Sequence, residues 1–328
     1  MKRLACVALG LWGLSAPVLA APPKPDLSLD AVNRADLSAK DEKGANATYI
    51  KAQVLLDRAR FSPGVIDGHD GENVKNALRA FEKARGLNGD GMLDDEVWAK
   101  LNEVSPDPVL VEYKIAEEDV KGPFTKIPDK MEEQADLNRL GYSGPEELLA
   151  EKFHMDQELL KALNPGKRFD EAGASIVVAN VGGPAKAADQ GKAARIEIAK
   201  KERVLRALAE DGSTLAVYPA SIGSKDKPAP TGTYTVRAVV RNPDYTYNPD
   251  YAFKGVKTKE KFQIKPGPNN PVGTVWIDLS AESFGIHGSP DPDTVGKAYS
   301  HGCARLTNWD AEELAHMTKK GTPVTFLE

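Results

Sequence analysis

The strongest constraint on the fold of this 328-residue chain is a change of character at Gly182-Gly183-Pro184-Ala185-Lys186-Ala187-Ala188-Asp189-Gln190-Gly191. Before this stretch apolar residues recur at helical spacing; after it they alternate and are rich in β-branched types. The stretch itself has linker composition, and residues 182–193 are read as the boundary. Two patterns on either side of a linker require separate cores, and the length suits two to three domains of ~100–200 residues. The expected fold class is multidomain α+β: a small helical module, an α/β module and a mostly β C-terminal domain. Hydrophobic residues at 41% and charged residues at 28% exclude a wholly disordered chain. A formal charge of −5 and a pI near 5.7 leave no basic footprint, so no nucleic-acid partner is expected. No run of ~18 or more apolar residues follows the N-terminal segment, so no transmembrane helix is expected in the mature chain.

Residues 1–20 read as a cleavable export signal. Lys2 and Arg3 form the charged start, Leu4 to Leu14 the short apolar stretch, and Val18-Leu19-Ala20 the small-residue cleavage site. Cys6 lies at the front of the apolar segment, which does not suit a lipoprotein site. Cleavage after Ala20 leaves one cysteine, Cys303. Exported proteins mostly use cysteines in pairs because their compartment is oxidising. A single thiol there is buried, joined to a partner, or chemically active.

Residues 21–45, rich in Pro, Asp and Lys, read as a flexible lead-in. Across 46–104 the pattern is helical: Ile50, Val54 and Leu55 share one face, then Val74, Ala77, Leu78 and Phe81, then Val97, Trp98 and Leu101. Turns at Ser62-Pro63-Gly64, Asp67-Gly68-His69-Asp70-Gly71 and Gly89-Asp90-Gly91 separate three helices. Val65-Ile66-Asp67-Gly68, Ala77-Leu78-Arg79-Ala80-Phe81-Glu82, Gly86-Leu87 and Trp98-Ala99-Lys100-Leu101 resemble the peptidoglycan-binding-like helical domain. Asn73 and Glu82 stand where that family usually has Thr and Gln. A helical spacer that keeps only the turns is the alternative.

Residues 110–181 form a second unit. A strand is expected at Val109–Lys114, helices at Met131–Leu140, Pro145–Phe153 and Asp156–Leu163, and a closing strand at Ser175–Ala179. Leu140-Gly141-Tyr142, Glu146 to His154 and Leu163-Asn164-Pro165-Gly166 resemble a LysM-type carbohydrate-binding fold with an insertion. His154 reads as a helix-end residue rather than a ligand.

Beyond the linker, Arg195–Ala199, Val204–Ala209, Thr214–Ser221, Thr233–Val240, Val275–Leu279, Gly285–His287 and Val324–Leu327 read as strands, with a helix at Asn308–Lys319. The chemistry concentrates in Ile286-His287-Gly288-Ser289 and Tyr299-Ser300-His301-Gly302-Cys303-Ala304-Arg305-Leu306-Thr307-Asn308. A free thiol, with a reference pKa of ~8.5, needs a base or a positive setting to attack. His287, His301 and Arg305 are the candidates, and both His287 and His301 lie within the sixteen residues upstream of Cys303. A zinc site from His287, His301, Cys303 and His316 is chemically conceivable but lacks close-paired ligand spacing. Each residue also has an inert reading: a buried thiol, a strand-end histidine, a surface arginine.

The SHGCxRLxN run, with HGS sixteen residues upstream, is similar to the signature of the L,D-transpeptidase catalytic domain. Ala229-Pro230-Thr231-Gly232-Thr233-Tyr234, Pro266 to Gly273 and Gly321-Thr322-Pro323-Val324 extend the resemblance over 194–328. It implies Cys303 as nucleophile and His287 as general base, with the Gly288 carbonyl orienting the imidazole and His301 shaping the pocket. It also implies backbone N–H groups at Gly302 and Cys303 for an oxyanion, and Arg305, with Ser300 and Asn308, on the substrate side. Asn308 reads also as a tie between loop and helix. The implied reaction is attack on the carbonyl of residue three of a peptidoglycan stem tetrapeptide, release of D-Ala, and transfer to an amine. That amine would belong to a second stem, an outer-membrane lipoprotein lysine or a free D-amino acid. No cofactor is implied, carbapenems are expected to acylate Cys303, and the location is periplasmic. An L,D-carboxypeptidase, a lipoprotein–wall amidase of the same fold and a catalytically silent wall-binding protein are the alternatives.

Overall fold

The computed structural model describes residues 26–41, 43–182, 191–224, 227–251, 256, 258–300 and 302–328. The export signal, most of the linker and His301 lie outside the described residues.

The lead-in is packed where it is described. Helix α1 (Leu29–Asn33) is capped by Ser28, whose Oγ accepts from Ala31 N, and Asp36 caps a 3-10 turn at Leu37–Ala39. Val32 is fully buried, and the Asn33 side chain donates to Leu110 O and accepts from Leu110 N. Leu27, Leu29 and Leu37 pack against the same core, and Thr48 and Lys51 of the next helix donate to the backbone at Asp36, Asn33 and Ala35, so a segment whose composition suggested mobility is docked.

Helices α2 (Ala47–Arg58), α3 (Glu72–Ala84) and α4 (Asp95–Asn102) follow. Asn46 caps α2 through Tyr49 N, and Asp94 caps α4 through Val97 N. Ile50, Val54, Leu55, Val74, Ala77, Leu78, Phe81, Val97 and Leu101 are buried as their spacing predicts. Trp98 is half-buried, with Lys51 Nζ 5.3 Å from its ring. Glu82, one of the two departures from the resembled family, accepts from Gly91 N at 2.8 Å and so closes the turn before α4.

The second unit is a strand β1 (Leu110–Lys114), short helices α5 (Glu117–Val120) and α6 (Met131–Gln134), helices α7 (Pro145–Lys152) and α8 (Gln157–Leu163), and strand β2 (Ser175–Ala179). β1 and β2 pair antiparallel, Leu110 opposite Ala179. The helix expected to run from Met131 to Leu140 stops at Gln134. Ala135, Asp136 and Leu137 continue only with i→i−3 bonds, and Leu140 N is drawn away to Pro266 O of the C-terminal domain at 3.0 Å.

The C-terminal domain holds β3 (Arg195–Ala199), β4 (Val204–Leu208), β5 (Thr214–Pro219), β6 (Ser221–Ile222), β7 (Gly232–Arg241), β8 (Tyr245–Tyr247), β9 (Phe262–Ile264), β10 (Val275–Leu279), β11 (Gly285–His287), β12 (Ala304–Arg305), α9 (Asn308–Met317) and β13 (Pro323–Leu327). Nine of these strands form one sheet in the order β5-β4-β3-β13-β7-β10-β11-β12-β6, with β8 and β9 paired separately. The β13–β3 and β11–β12 pairs are parallel, and the other neighbours are antiparallel. Ile196, Ile198, Leu205, Val275, Ile277, Leu279, Ile286, Leu314 and Val324 fill the core of this domain.

The N-terminal units are built into the C-terminal domain. Ser62 N donates to Val217 O and Val217 N to Arg60 O, so the chain after α2 bonds to β5. Val204, Val217 and Ala199 join the apolar core of the helical units. His154, at the end of α7, stacks on Trp309 with ring centroids 4.9 Å apart and holds Asp57 of α2 at 2.8 Å. Burial alone would lower its pKa, but the Asp57 charge and hydrogen bond outweigh it and raise the value. One side chain thus fastens all three units.

Candidate active site

β11 is the axis of the site. It pairs antiparallel with β10, placing Trp276 opposite His287, and parallel with β12, placing His287 opposite Arg305. In-register neighbours project to the same face of a sheet, so Trp276, His287 and Arg305 share one face, and Cys303 immediately precedes β12. The Trp276 and His287 rings stack at 5.6 Å. Gly285 makes room for this: a Cβ there would lie 2.5 Å from the indole. Trp276 was not singled out from sequence, although a tryptophan inside an alternating strand just ahead of His287 was the available signal.

His287 is buried, with Nδ1 2.7 Å from Gly288 O. A ring nitrogen facing a carbonyl carries the proton, which leaves Nε2 as an acceptor. Burial, with a smaller push from Arg305 and against the Gly288 bond, brings the imidazole down to about 4. Burial also raises the Cys303 thiol, against a hydrogen bond with the Gly285 backbone that lowers it. These shifts leave the imidazole neutral at neutral pH and disfavour the thiolate. Desolvation, rather than a positive setting, dominates at the thiol.

Ser300 does other work than the substrate contact expected of it, and Asn308 has the tying contacts weighed beside its substrate role. Ser300 Oγ accepts from Gly223 N at 2.6 Å and from Gly302 N at 3.2 Å, and donates to Cys303 O at 2.5 Å. It is buried and clasps the loop that carries Cys303. The Gly302 N–H, expected to face an oxyanion, is directed to that hydroxyl instead. The backbone N–H of Cys303 is the candidate that follows. Asn308, buried at the start of α9, donates from Nδ2 to Glu151 Oε2 and Pro268 O, both at 3.1 Å, and accepts from Thr274 N on Oδ1 at 3.2 Å. A Cβ on Gly288 would lie 2.3 Å from Asn308 Oδ1, so Asn308 is the backing against which the His287-orienting carbonyl is set.

Arg305 is half-buried, makes no ion pair among the described residues, and its Nε has no hydrogen-bond partner. Burial lowers its pKa, with Asp291 opposing. An unpaired, partly desolvated guanidinium is costly and is best offset by an incoming anion. His316, weighed as a zinc ligand, is exposed on α9 with Nδ1 2.7 Å from Glu312 O. Among the described residues no group of three or more His, Cys, Asp or Glu converges to hold a metal.

Residues 193–326 match the family model described as the L,D-transpeptidase catalytic domain. The C-terminal domain is an L,D-transpeptidase catalytic domain. Residues 46–101 match the model described as "Putative peptidoglycan binding domain". Among curated proteins, "Putative L,D-transpeptidase YkuD" of Bacillus licheniformis is 28% identical over 181 residues, covering 55% of this chain and 91% of that protein. The Bacillus subtilis protein of the same name is 30% identical over 118 residues, covering 36% of this chain and 57% of its own length. Among solved structures, L,D-transpeptidase 3 from Mycobacterium tuberculosis is 20% identical with a TM-score of 0.34, covering 40% of this chain and 60% of that one. An Enterococcus faecium L,D-transpeptidase C442S mutant is 20% identical with a TM-score of 0.32, covering 52% and 62%.

Proposed function

We propose that this chain is an exported cell-wall L,D-transpeptidase in which Cys303 and His287 act as a neutral thiol–imidazole pair. The observation that carries the reading is the His287 ring: buried, shifted to about 4, and locked through Nδ1 to Gly288 O, so that Nε2 is a free acceptor at neutral pH. The Sγ–H proton passes to Nε2 as sulfur forms a bond to the carbonyl carbon of residue three of a stem tetrapeptide. The oxyanion is received by the Cys303 backbone N–H. The carbon–nitrogen bond to D-Ala then breaks, the imidazolium proton goes to the departing amine, and a thioester remains. An acceptor amine attacks the thioester, loses its proton to His287, and the thiol re-forms. Arg305 takes a substrate carboxylate, for which its planar fork is suited. A pocket role for His301, which lies outside the described residues, belongs to the same proposal.

Domain boundaries at 46–104, 110–181 and 194–328, export by residues 1–20, and glycan contact by the N-terminal units belong to the same proposal. Among the described residues no helix is long and apolar enough to cross a membrane. The test is mass spectrometry of purified tetrapeptide muropeptide incubated with the protein, with Cys303→Ala beside it. Cysteine-dependent dimers lacking one D-Ala are expected. Tripeptide monomer alone would replace transfer by hydrolysis, as in an L,D-carboxypeptidase. Unchanged substrate would move the acceptor question to a lipoprotein lysine or a lipoprotein–wall bond.

A further inference from the structure

The segment from Ser289 to Ser300 joins the histidine strand to the cysteine, so where it lies decides where the thiol is presented. Its centre is a 3-10 turn at Pro292–Thr294 followed by the fully buried Val295. Several anchors come from its own domain. Gly296 N donates to Ser221 Oγ at 3.1 Å, and Arg203 Nη1 donates to Gly296 O at 3.3 Å and Lys297 O at 3.1 Å. The Arg203 guanidinium also lies 4.6 Å from the Tyr299 ring.

One anchor comes from outside. Asn73, the second residue of α3 in the helical module, is buried and donates from Nδ2 to Val295 O at 2.9 Å. Gly296 has a left-handed φ of +75°, and a Cβ there would lie 2.3 Å from Asn73 Oδ1, so the turn and the amide are fitted to each other. Lys297 Nζ adds a weaker link to Asp67 Oδ2 at 4.0 Å.

We infer that Asn73 is a positioning residue of the active site: by holding Val295 and Gly296 it sets where the following turn presents Ser300 and Cys303. The inference rests on the reaction proposed above, and gives the helical module a part in catalysis besides any contact with glycan. Without the amide, Val295 O is left buried and unpaired, and the segment must shift to recover a partner. A displacement of about 1 Å at a reacting atom can cost on the order of a hundredfold in rate, so loss of one of several anchors is expected to lower kcat about tenfold. Arg305 is set by the β11–β12–β6 pairing instead, so KM is expected to stay within about twofold.

The test uses the full chain with Asn73→Ala and the isosteric Asn73→Asp, measuring D-Ala release from tetrapeptide and the second-order alkylation rate of Cys303 by iodoacetamide, peptide-mapped. Asn76→Ala is the control. Asn76 Nδ2 bridges the same two units through Glu202 O at 3.1 Å without touching the segment. The expected result is a kcat loss and slower alkylation in both Asn73 variants, unchanged KM, and near-normal values for Asn76→Ala. A folded Asn73→Ala with normal kcat and normal alkylation would overturn the assignment, as would an equal loss in Asn76→Ala. Slower alkylation in the Asn73 variants of a protein that releases no D-Ala would retain Asn73 as a positioning residue and reject the proposed reaction.

Discussion

Glu151 supports the site from the second unit, and replacing it with glutamine isolates one electrostatic effect. Its carboxyl is almost fully enclosed: Oε2 accepts from Asn308 Nδ2, and Oε1 has no partner. Burial pushes the group from 4.5 up to about 8, with the Asn308 bond opposing and the Glu147 and Glu312 charges adding to the rise. Between those values the folded chain holds a proton that the unfolded chain has released, so stability falls as pH rises from about 5 to about 8. The slope is at most about 1.4 kcal/mol per pH unit for one such proton, and water entry on ionisation reduces it. Asp310, raised by burial to about 8 beside Ser62, contributes the same sign. The wild type should therefore lose stability with rising pH more steeply than Glu151→Gln, by up to about one proton, since the other titrating groups are common to both. Glutamine keeps an oxygen for Asn308 while carrying no charge. Urea unfolding at pH 5.5, 6.5, 7.5 and 8.5 measures both slopes. Identical slopes in the two proteins would refute the assignment of a protonated, buried Glu151.

Two further changes probe the catalytic face. Arg305→Gln should raise KM for the carboxylate-bearing substrate by about tenfold or more, the value of a lost charge-assisted bond. It should also move the acidic limb of the alkylation rate of Cys303 upward from about pH 4, because one charge that depresses His287 is gone; an unmoved limb would contradict that coupling. Gly285→Ala drives a methyl to 2.5 Å from the indole of Trp276, which must slide off His287. Overpacking of this kind costs about 1–3 kcal/mol. A lower Tm and slower alkylation are expected, and Trp276→Leu in the same chain should recover part of the Tm.

The outline of the C-terminal domain was readable because strand residues alternate and because His287, Cys303 and Arg305 are chemically conspicuous at their spacing. The helical module was readable from its turns and from Ile50, Leu78, Phe81 and Leu101. What stayed hidden depends on partners far away in the chain. Asn73 meets Val295, Glu151 meets Asn308, and His154 meets Trp309, and a local pattern carries no trace of such pairs. Ser300 and Asn308 sit in the motif and invite a substrate role, yet each has its hydrogen bonds committed to holding the loop. Residues 26–41 looked mobile by composition, because much of what docks them, the Asn33 bonds to Leu110 and the Lys51 and Thr48 bonds to their carbonyls, comes from partners outside the segment. The helix after Met131 was expected to continue because its sequence allows it; the pairing of Leu140 with Pro266 ends it.

The central claim is that a neutral Cys303 thiol, deprotonated by His287, takes the acyl group of a stem peptide. Intact-mass analysis of the enzyme quenched in acid during turnover of tetrapeptide tests it directly. The account predicts an adduct equal to the substrate less D-Ala, mapped to the peptide containing Cys303, released by hydroxylamine and absent from Cys303→Ala. Release of D-Ala by Cys303→Ala at the wild-type rate would contradict it.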